Sequence, residues 1–392
     1  MPLATDLPSK TDVAVIGGGI FGTAICYWLA RSGVSTILLE QTMLAHGATG
    51  RNGGFVSVGP TESYPAAIER FGHDTAQQIL AVTLENRALL HQIIAEEKFS
   101  CEYREAGHLS LALNSNQRKT FEQSAAALQA DNVPTWLLER EEVQERIGTP
   151  LGEEIIAGKF NPATALVHSA QLTQGIARAA QRYGAQMCAS NVLQLMINGK
   201  EIDIHTTSGL LHAANVVVAT NAWISELVPS LTSVITPVRG QALAYASREP
   251  VFPTAVAVAL TDTEEYWKQT VDGTIILGGC RAVAPHHDVG VRINQPTSEV
   301  QAALELVFPR LFPQLKGLQV KQRWAGVMAF TPDYLPIVDL AEDIPDIWVA
   351  GGFSGNGMAF ALRLGQLLAD TIVSGTISAT LKLFRLHRKT LL

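Results

Sequence analysis

Gly17, Gly19 and Gly22 follow the apolar run Asp12-Val-Ala-Val-Ile16 in a G-x-G-x-x-G spacing, and an acid, Glu40, closes the next apolar run 18 residues beyond the last glycine. Main-chain amides and one carboxylate are the equipment here, and they suit a phosphorylated ligand rather than bond-breaking. The first glycine permits a tight turn, the second lets the main chain approach a pyrophosphate, and the third lets a helix pack closely on the preceding strand. The unpaired amides of Ile20 and Phe21 would face the phosphates at the positive end of that helix. Glu40, followed by Gln41, stands where an acid accepts from a ribose 2′-hydroxyl and a 2′-phosphate would be repelled. These residues spell a dinucleotide site. The rival, an apolar helix or membrane span over Val13 to Ala30, is broken by four glycines.

Two further glycine-dense stretches carry chemistry. In Gly50-Arg-Asn-Gly-Gly54, Gly53 and Gly54 allow close main-chain approach to a ligand, while Arg51 and Asn52 offer donors to a phosphate or a polar ring edge. A surface turn is the rival reading there. Near the other end, Ile347-Trp-Val-Ala350 feeds Gly351-Gly-Phe-Ser-Gly-Asn-Gly357 and a helix from Met358 to about Val373. Gly352, Phe353, Ser354, Gly355, Asn356, Gly357 and Met358 thereby join the candidate cofactor contacts. Ala214-Asn-Val-Val-Val-Ala219 is a buried strand whose end, at Thr220 and Trp223, should reach the same crevice as Gly17. Val192, opening an earlier strand, completes the set.

The elements that must hold these residues are legible as periodicities. Ile20 to about Ser32 reads as a helix ended by Gly33, and Thr36-Ile-Leu-Leu39 as a strand. Ala66 to Glu97 is helical in pattern, as are Ser115 to Asp131, Arg140 to Ile147, His168 to Tyr183 and Gln295 to Phe308. Leu109 to Leu113 is a strand, and Asn198-Gly199 marks a hairpin between Val192 to Ile197 and Glu201 to Thr206. Pro237-Val-Arg-Gly-Gln241 opens a strand-rich section that includes Thr274 to Leu277. A first strand near residue 12 and partners near 214 and 347 imply a parallel sheet built from separated pieces, an α/β fold.

Composition narrows the partners. A net charge of -7 with 17% charged residues disfavours nucleic acid and anionic membranes as partners. Cys26, Cys101, Cys188 and Cys280 are scattered and form no C-x-x-C, the usage of a reducing compartment. Met1 to Lys10 lacks the apolar core of a signal peptide, so the expected location is cytoplasmic. His46, His286 and His287 have no third ligand at metal spacing and read as loop histidines; no metal is expected. The basic tail with Lys382, Arg385, Arg388 and Lys389 reads as a closing segment, membrane-surface binding being the alternative.

Four stretches, Asp12 to Glu40, Gly50 to Gly54, Pro237 to Gln241 and Gly351 to Gly357, together resemble the D-amino-acid oxidase-like flavoproteins. That group includes glycine oxidase, sarcosine oxidase, dimethylglycine dehydrogenase and gamma-glutamylputrescine oxidase, and the Gly-Arg-Asn-Gly-Gly form is most similar to the last branch. The resemblance implies FAD rather than NAD. It implies a discontinuous Rossmann-like FAD domain (1–75, 145–235 and 330–392) and a smaller substrate domain (76–144 and 236–329) whose mixed or antiparallel sheet covers the flavin. It also implies hydride transfer from a C–N bond of an amine or amino acid to flavin N5, followed by imine hydrolysis. Molecular oxygen or a quinone or electron-transfer protein would accept the electrons, and a non-catalytic flavoprotein subunit is the alternative of a different class.

Departures from the family shape the expectations. Gly326 stands where sarcosine oxidase-like members carry the flavin-linking Cys, and Arg51 where dimethylglycine dehydrogenase-like members carry the linking His, so FAD should be non-covalent. Met328 replaces the Arg that grips a substrate carboxylate in glycine oxidase-like members. The oxygen-activating lysine of sarcosine oxidase has no counterpart near Ile276. Tyr266, Trp267, Arg281, Trp324, Met328 and Phe330 are the candidates for the substrate pocket, with Tyr266, Arg281, Trp324 and Met328 placed nearest the chemistry; core packing is the rival for each aromatic.

Overall fold

Strand Lys10–Ile16 is buried from Val13 onward, as a Val/Ile run must be when helices cover its sheet. In the computed structural model, which describes residues 1–258 and 265–391, this strand pairs in parallel with Thr36–Glu40 on one side and Gly209–Val218 on the other. Gln186–Ala189 and Ile347–Gly351 extend the parallel array outward, and Ile337–Leu340 closes one edge antiparallel. The hairpin of Val192–Asn198 and Glu201–Thr206 joins Gly209–Val218 to make an eight-stranded sheet. Parallel strands thus flank the first strand on both sides, an arrangement that puts a ligand crevice at the strands' C-terminal ends.

One face of this sheet carries the helices Ile20–Arg31, Ser169–Arg182, Gly357–Ser374 and His73–Glu97, which share a core of Ile25, Leu29, Ile79, Leu172, Phe360 and Leu364. Gly72, at φ +80, divides the helical stretch into Tyr64–Phe71 and His73–Glu97. The periodicity alone had run these together.

The second sheet also has eight strands, in the order Val320–Phe330, Thr236–Tyr245, Ile275–Gly278, Tyr266–Gln269, Ala255–Val258, His108–Ala112, Ala157–Asn161 and Trp136–Glu139. It is mixed, since His108–Ala112 and Ala255–Val258 run parallel. Helix Ser298–Leu311 covers one face, over a core in which Trp267 packs edge-on against Phe252, Phe308 and Phe312. The opposite face looks toward the first sheet's crevice. Helix His73–Glu97 packs into the first core, and Ala157–Asn161 is a strand of the second sheet.

The basic tail is a closing segment. Arg388 makes a bidentate pair with the fully buried Asp333, Thr390 donates to the same carboxylate, and Arg385 pairs with Asp339. Among the described residues no helix is long and apolar enough to cross a membrane.

Candidate active site

Two of the three glycines are required by contact, while a Cβ on Gly19 would meet only Thr49 Oγ1, at 3.2 Å. Gly17 has φ +111 and a Cβ there would lie 2.7 Å from the Ala219 carbonyl oxygen; a Cβ on Gly22 would lie 1.9 Å from the Gly17 carbonyl oxygen. The turn therefore sits between the first strand and the end of Gly209–Val218, with the helix drawn tightly in. Gly18 N–H donates to Glu40 Oε2 at 2.8 Å, and Thr42 donates from both its amide and its hydroxyl to Oε1 at 2.9 Å. The carboxylate is thus locked across the glycine turn, while Gln41 is exposed beside it. The side chains of Ile20 and Phe21 are buried in the core, so neither reaches a ligand except through the main chain. Ile20 N–H donates to Thr49 Oγ1 at 3.1 Å. Thr49 escaped the sequence reading because nothing local distinguishes its hydroxyl; only the fold brings it to the helix start.

The Gly50-to-Gly54 loop departs from expectation in two ways. It contains a helical turn, Ala48–Arg51, and its polar side chains mostly brace the loop itself. Asn52 donates to the Ala48 and Thr49 carbonyls and accepts from Gly54 N–H and the Ser169 hydroxyl, so it is not a free donor for a ligand. Arg51 donates to the His46 and Ala325 carbonyls, tying the loop to strand Val320–Phe330. The reason is the chain's path: Gly54, at φ +72, is wedged against the Val167 carbonyl oxygen, and such a turn needs side-chain hydrogen bonds to hold it. Arg51, Asn52, Gly53 and Gly54 still wall the cavity described below.

On the far side of Gly17, the Thr220 hydroxyl and the Asn221 side-chain oxygen are buried with no hydrogen-bond partner among the described residues. Trp223 packs against the core next to them, and Val192 is buried in the same cluster, beyond the strand that carries Glu40. In the second glycine loop, Gly352 at φ +69 and Gly355 at φ +83 adopt conformations that disfavour side chains. Ser354 is buried and holds the loop down, its amide donating to Ala329 and its hydroxyl accepting from Thr331 N–H. Phe353 packs against Phe21 with the rings tilted and their centroids 5.7 Å apart, and Asn356 donates to the Gly59 carbonyl. Helix Gly357–Ser374 has no side-chain cap, and of its first turn the Ala359 amide donates to the Asn356 carbonyl at 3.0 Å. Two uncapped helix starts, two orphaned oxygens and a locked acid around one glycine-lined crevice fit a flavin dinucleotide.

A cavity of about 900 Å³ opens beside this crevice. The Gly53 and Gly54 loop, the Gly355 to Met358 segment and the open face of the second sheet line it, with Tyr266, Arg281, Trp324, Met328 and Phe330 on its wall. The Trp324 indole N–H donates to the Arg51 carbonyl at 2.9 Å, which fixes its ring. Tyr266 lies between Gly53 and Gly278, where a Cβ on either glycine would come within 3.0 Å of its ring. The Arg281 guanidinium sits 5.2 Å over the Phe330 ring. Trp267 is the exception: it is fully buried on the other face, since neighbours along a strand point to opposite sides. His46, His286 and His287 are exposed, and no metal-binding cluster occurs among the described residues.

The expectation of no lysine near Ile276 is corrected. Lys268 is the direct cross-strand partner of Ile276, is buried, and donates to the Val167 carbonyl at 2.8 Å beside Gly54. Burial pushes its pKa down to about 8, with Glu102 opposing and Arg104 adding to the shift. A search along one strand misses a residue that reaches the same place from the next.

The chain matches the FAD dependent oxidoreductase family, DAO, over residues 12–371. It is 26% identical over 372 residues to a probable oxidoreductase OrdL of Rhizobium meliloti (92% of this chain, 82% of the relative). It is 25% identical over 375 residues to the gamma-glutamylputrescine oxidoreductase of Escherichia coli (92% and 83%). The L-proline dehydrogenase of P. horikoshii superposes with a TM-score of 0.81 at 26% identity, covering 97% of each chain. With the glycine cradle, the acid and the helix starts all in place over that matched span, the protein belongs to the DAO family of FAD-dependent oxidoreductases.

Proposed function

We propose that the protein oxidises the C–N bond of an amine or amino acid to an imine, using non-covalently bound FAD and passing the electrons to molecular oxygen. The observation that carries this is the cavity itself: a part-aromatic chamber bounded by the glycine loop at 351–357, with the Arg281 guanidinium on its wall. When bound, FAD supplies the two-electron acceptor. The chain supplies the rest. Gly17, Gly19, Glu40, Thr49, Thr220 and the amides at the start of Gly357–Ser374 would hold it, and the last of these place a positive dipole end where negative charge grows on reduction. Tyr266, Trp324, Met328 and Phe330 offer an apolar, π-rich surface for an amine, which must shed its proton before it can lose hydride.

Similarity to a gamma-glutamylputrescine oxidoreductase and to an L-proline dehydrogenase supports an amine or amino-acid substrate. Met328 cannot make the paired charge-assisted bonds that grip an α-carboxylate, which favours an amine or a substrate whose carboxylate lies away from the reacting carbon. Lys268 supports oxygen as acceptor, because a cation beside the cavity loop offsets the negative charge formed as oxygen takes up electrons. Four buried, unpaired cysteines suit a reducing, cytoplasmic setting.

Mixing the protein anaerobically with amines and amino acids, then admitting air, tests the reading. Bleaching of the flavin by an amine and colour returning within seconds is expected; no bleaching by any amine would leave a non-catalytic flavoprotein, and recovery over minutes a dehydrogenase. Acid precipitation should release the flavin into the supernatant. The Gly326 and Arg51 positions abut, with a Cβ on Gly326 only 3.1 Å from Arg51 Cβ, and neither offers a linking atom. A yellow pellet would show a covalent link elsewhere.

A further inference from the structure

The cavity extends well past Tyr266. One line of cross-strand partners runs across its floor: Trp324 faces Ala242, Ala242 faces Gly278, Gly278 faces Tyr266, Tyr266 faces Ala257, Ala257 faces Ser110, and Ser110 faces Lys159. Partners in register share a face of the sheet, so Lys159 looks into the same chamber as Trp324. Beyond Tyr266 the row holds only Ala257 and Ser110 before Lys159, and small residues leave the passage open. Helix Ser115–Ala130 roofs this end with Thr120, Phe121 and Ser124.

The Lys159 ammonium is 3.2 Å from the Ser124 hydroxyl and 5.3 Å over the Phe121 ring, and among the described residues no carboxylate pairs with it. Burial pushes its pKa down to about 8, the signature of a desolvated cation that lacks a counter-charge. Next to it in the ladder, His108 faces Asn161, and its Nε2 is buried without a partner. Burial first, and the Lys159 charge second, lower the His108 pKa to about 4, so the ring is neutral at ordinary pH and can donate from one nitrogen. A cation, a neutral imidazole and two hydroxyls around one chamber end make a set that an anion would complete.

We propose that this end of the cavity is a carboxylate subsite, with Lys159 supplying the charge and Ser110, Ser124 and His108 the hydrogen bonds, and that it selects substrates carrying an anionic tail remote from the C–N bond. It rests on the proposed amine oxidation for what happens at the other end. Three strand spacings separate Tyr266 from Lys159, about 14 Å at ~4.8 Å each, which sets the scale of the chain joining amine to carboxylate.

The test uses the FAD-loaded protein and unreactive probes: straight-chain carboxylates from butanoate to decanoate and their primary amides, titrated by calorimetry. Wild type should bind the longer carboxylates ten- to a hundred-fold more tightly than the matching amides, the difference a charge-assisted bond makes. Lys159→Met should abolish that difference, Lys159→Arg should keep most of it, and Arg281→Ala should leave its dependence on chain length in place. In turnover, the kcat/KM ratio of a carboxylate-tailed amine over its amide should collapse by the same factor in Lys159→Met, through KM. Melting temperature and flavin content check each variant, and Lys159→Gln replaces Lys159→Met if the latter does not fold. Equal binding of carboxylates and amides to wild type, or a preference that survives Lys159→Met and vanishes in Arg281→Ala, would overturn the subsite. The carboxylate titration stands even if no amine bleaches the flavin, so the two proposals fail separately.

Discussion

Glu40 is held by three hydrogen bonds from Gly18 and Thr42, so its carboxylate arrives at the crevice already oriented. Glu40→Arg removes the acceptor and sets a cation against the amides of the glycine turn; purified protein should retain only a small fraction of its flavin, read from the ratio of visible to ultraviolet absorbance. Full occupancy would mean that Glu40 has no part in holding the cofactor. Lys268 makes a second prediction. Its pKa of about 8 lies below the ordinary 10.5, so between those values the unfolded chain holds the proton more tightly than the folded one. Stability should therefore rise with pH from about 8 to 10.5; Lys159, lowered in the same way, adds to the rise, and Lys268→Met should remove only the Lys268 share, at most on the order of 3 kcal/mol, in urea titrations. Glu40 was legible in the sequence, because its role follows from spacing along one βαβ unit. Lys268, Thr49, His108 and Lys159 were not. Each reaches its place through a partner strand or a distant loop, and no local pattern marks a lysine as facing a cavity.

Secondary structure was largely readable where the periodic signal is long: the helices 20–31, 115–130, 169–182 and 357–374 and the hairpin at 198–199 stand within a few residues of expectation. Short strands such as Trp136–Glu139, Ala157–Asn161 and Ala255–Val258 gave too few residues for alternation to register, and they carry the far half of the second sheet. The junction between helices His73–Glu97 and Gly357–Ser374 depends on one buried amide. Asn86 donates to the Met358 carbonyl at 3.0 Å and accepts from Leu362 and Arg363 N–H at 2.9 and 3.1 Å. Asn86→Ala leaves those buried groups without it, and should cost about 1–3 kcal/mol in chemical denaturation. Because Met358 also lines the cavity, the variant should alter substrate KM as well; a change in neither would show that the helices hold their places by apolar packing alone.

At the scale of the whole molecule, the segment 385–390 fastens the loop and strand at 333–339. Asp333 is fully buried. Burial alone would raise its pKa, but hydrogen bonds and charge from Arg388 outweigh that and keep it ionised. Its contribution is present above the ordinary carboxylate pKa and is lost as pH falls toward the depressed folded value. Arg388→Ala strands the carboxylate and should destabilise the fold by about 3–5 kcal/mol at neutral pH, with the deficit shrinking in acid as Asp333 takes up a proton; a deficit independent of pH would assign the loss to packing. Neither the pair, nor the packing of 73–97 into the first core, nor the pairing of 157–161 in the second sheet could be foreseen, because all are contacts between residues far apart in sequence. The helix at 20–31 packs directly on the one at 357–374, and the crevice needs both of their starts. The crevice is therefore unfinished until a ribosome has passed residue 374, and flavin has no complete site on a chain released before that point.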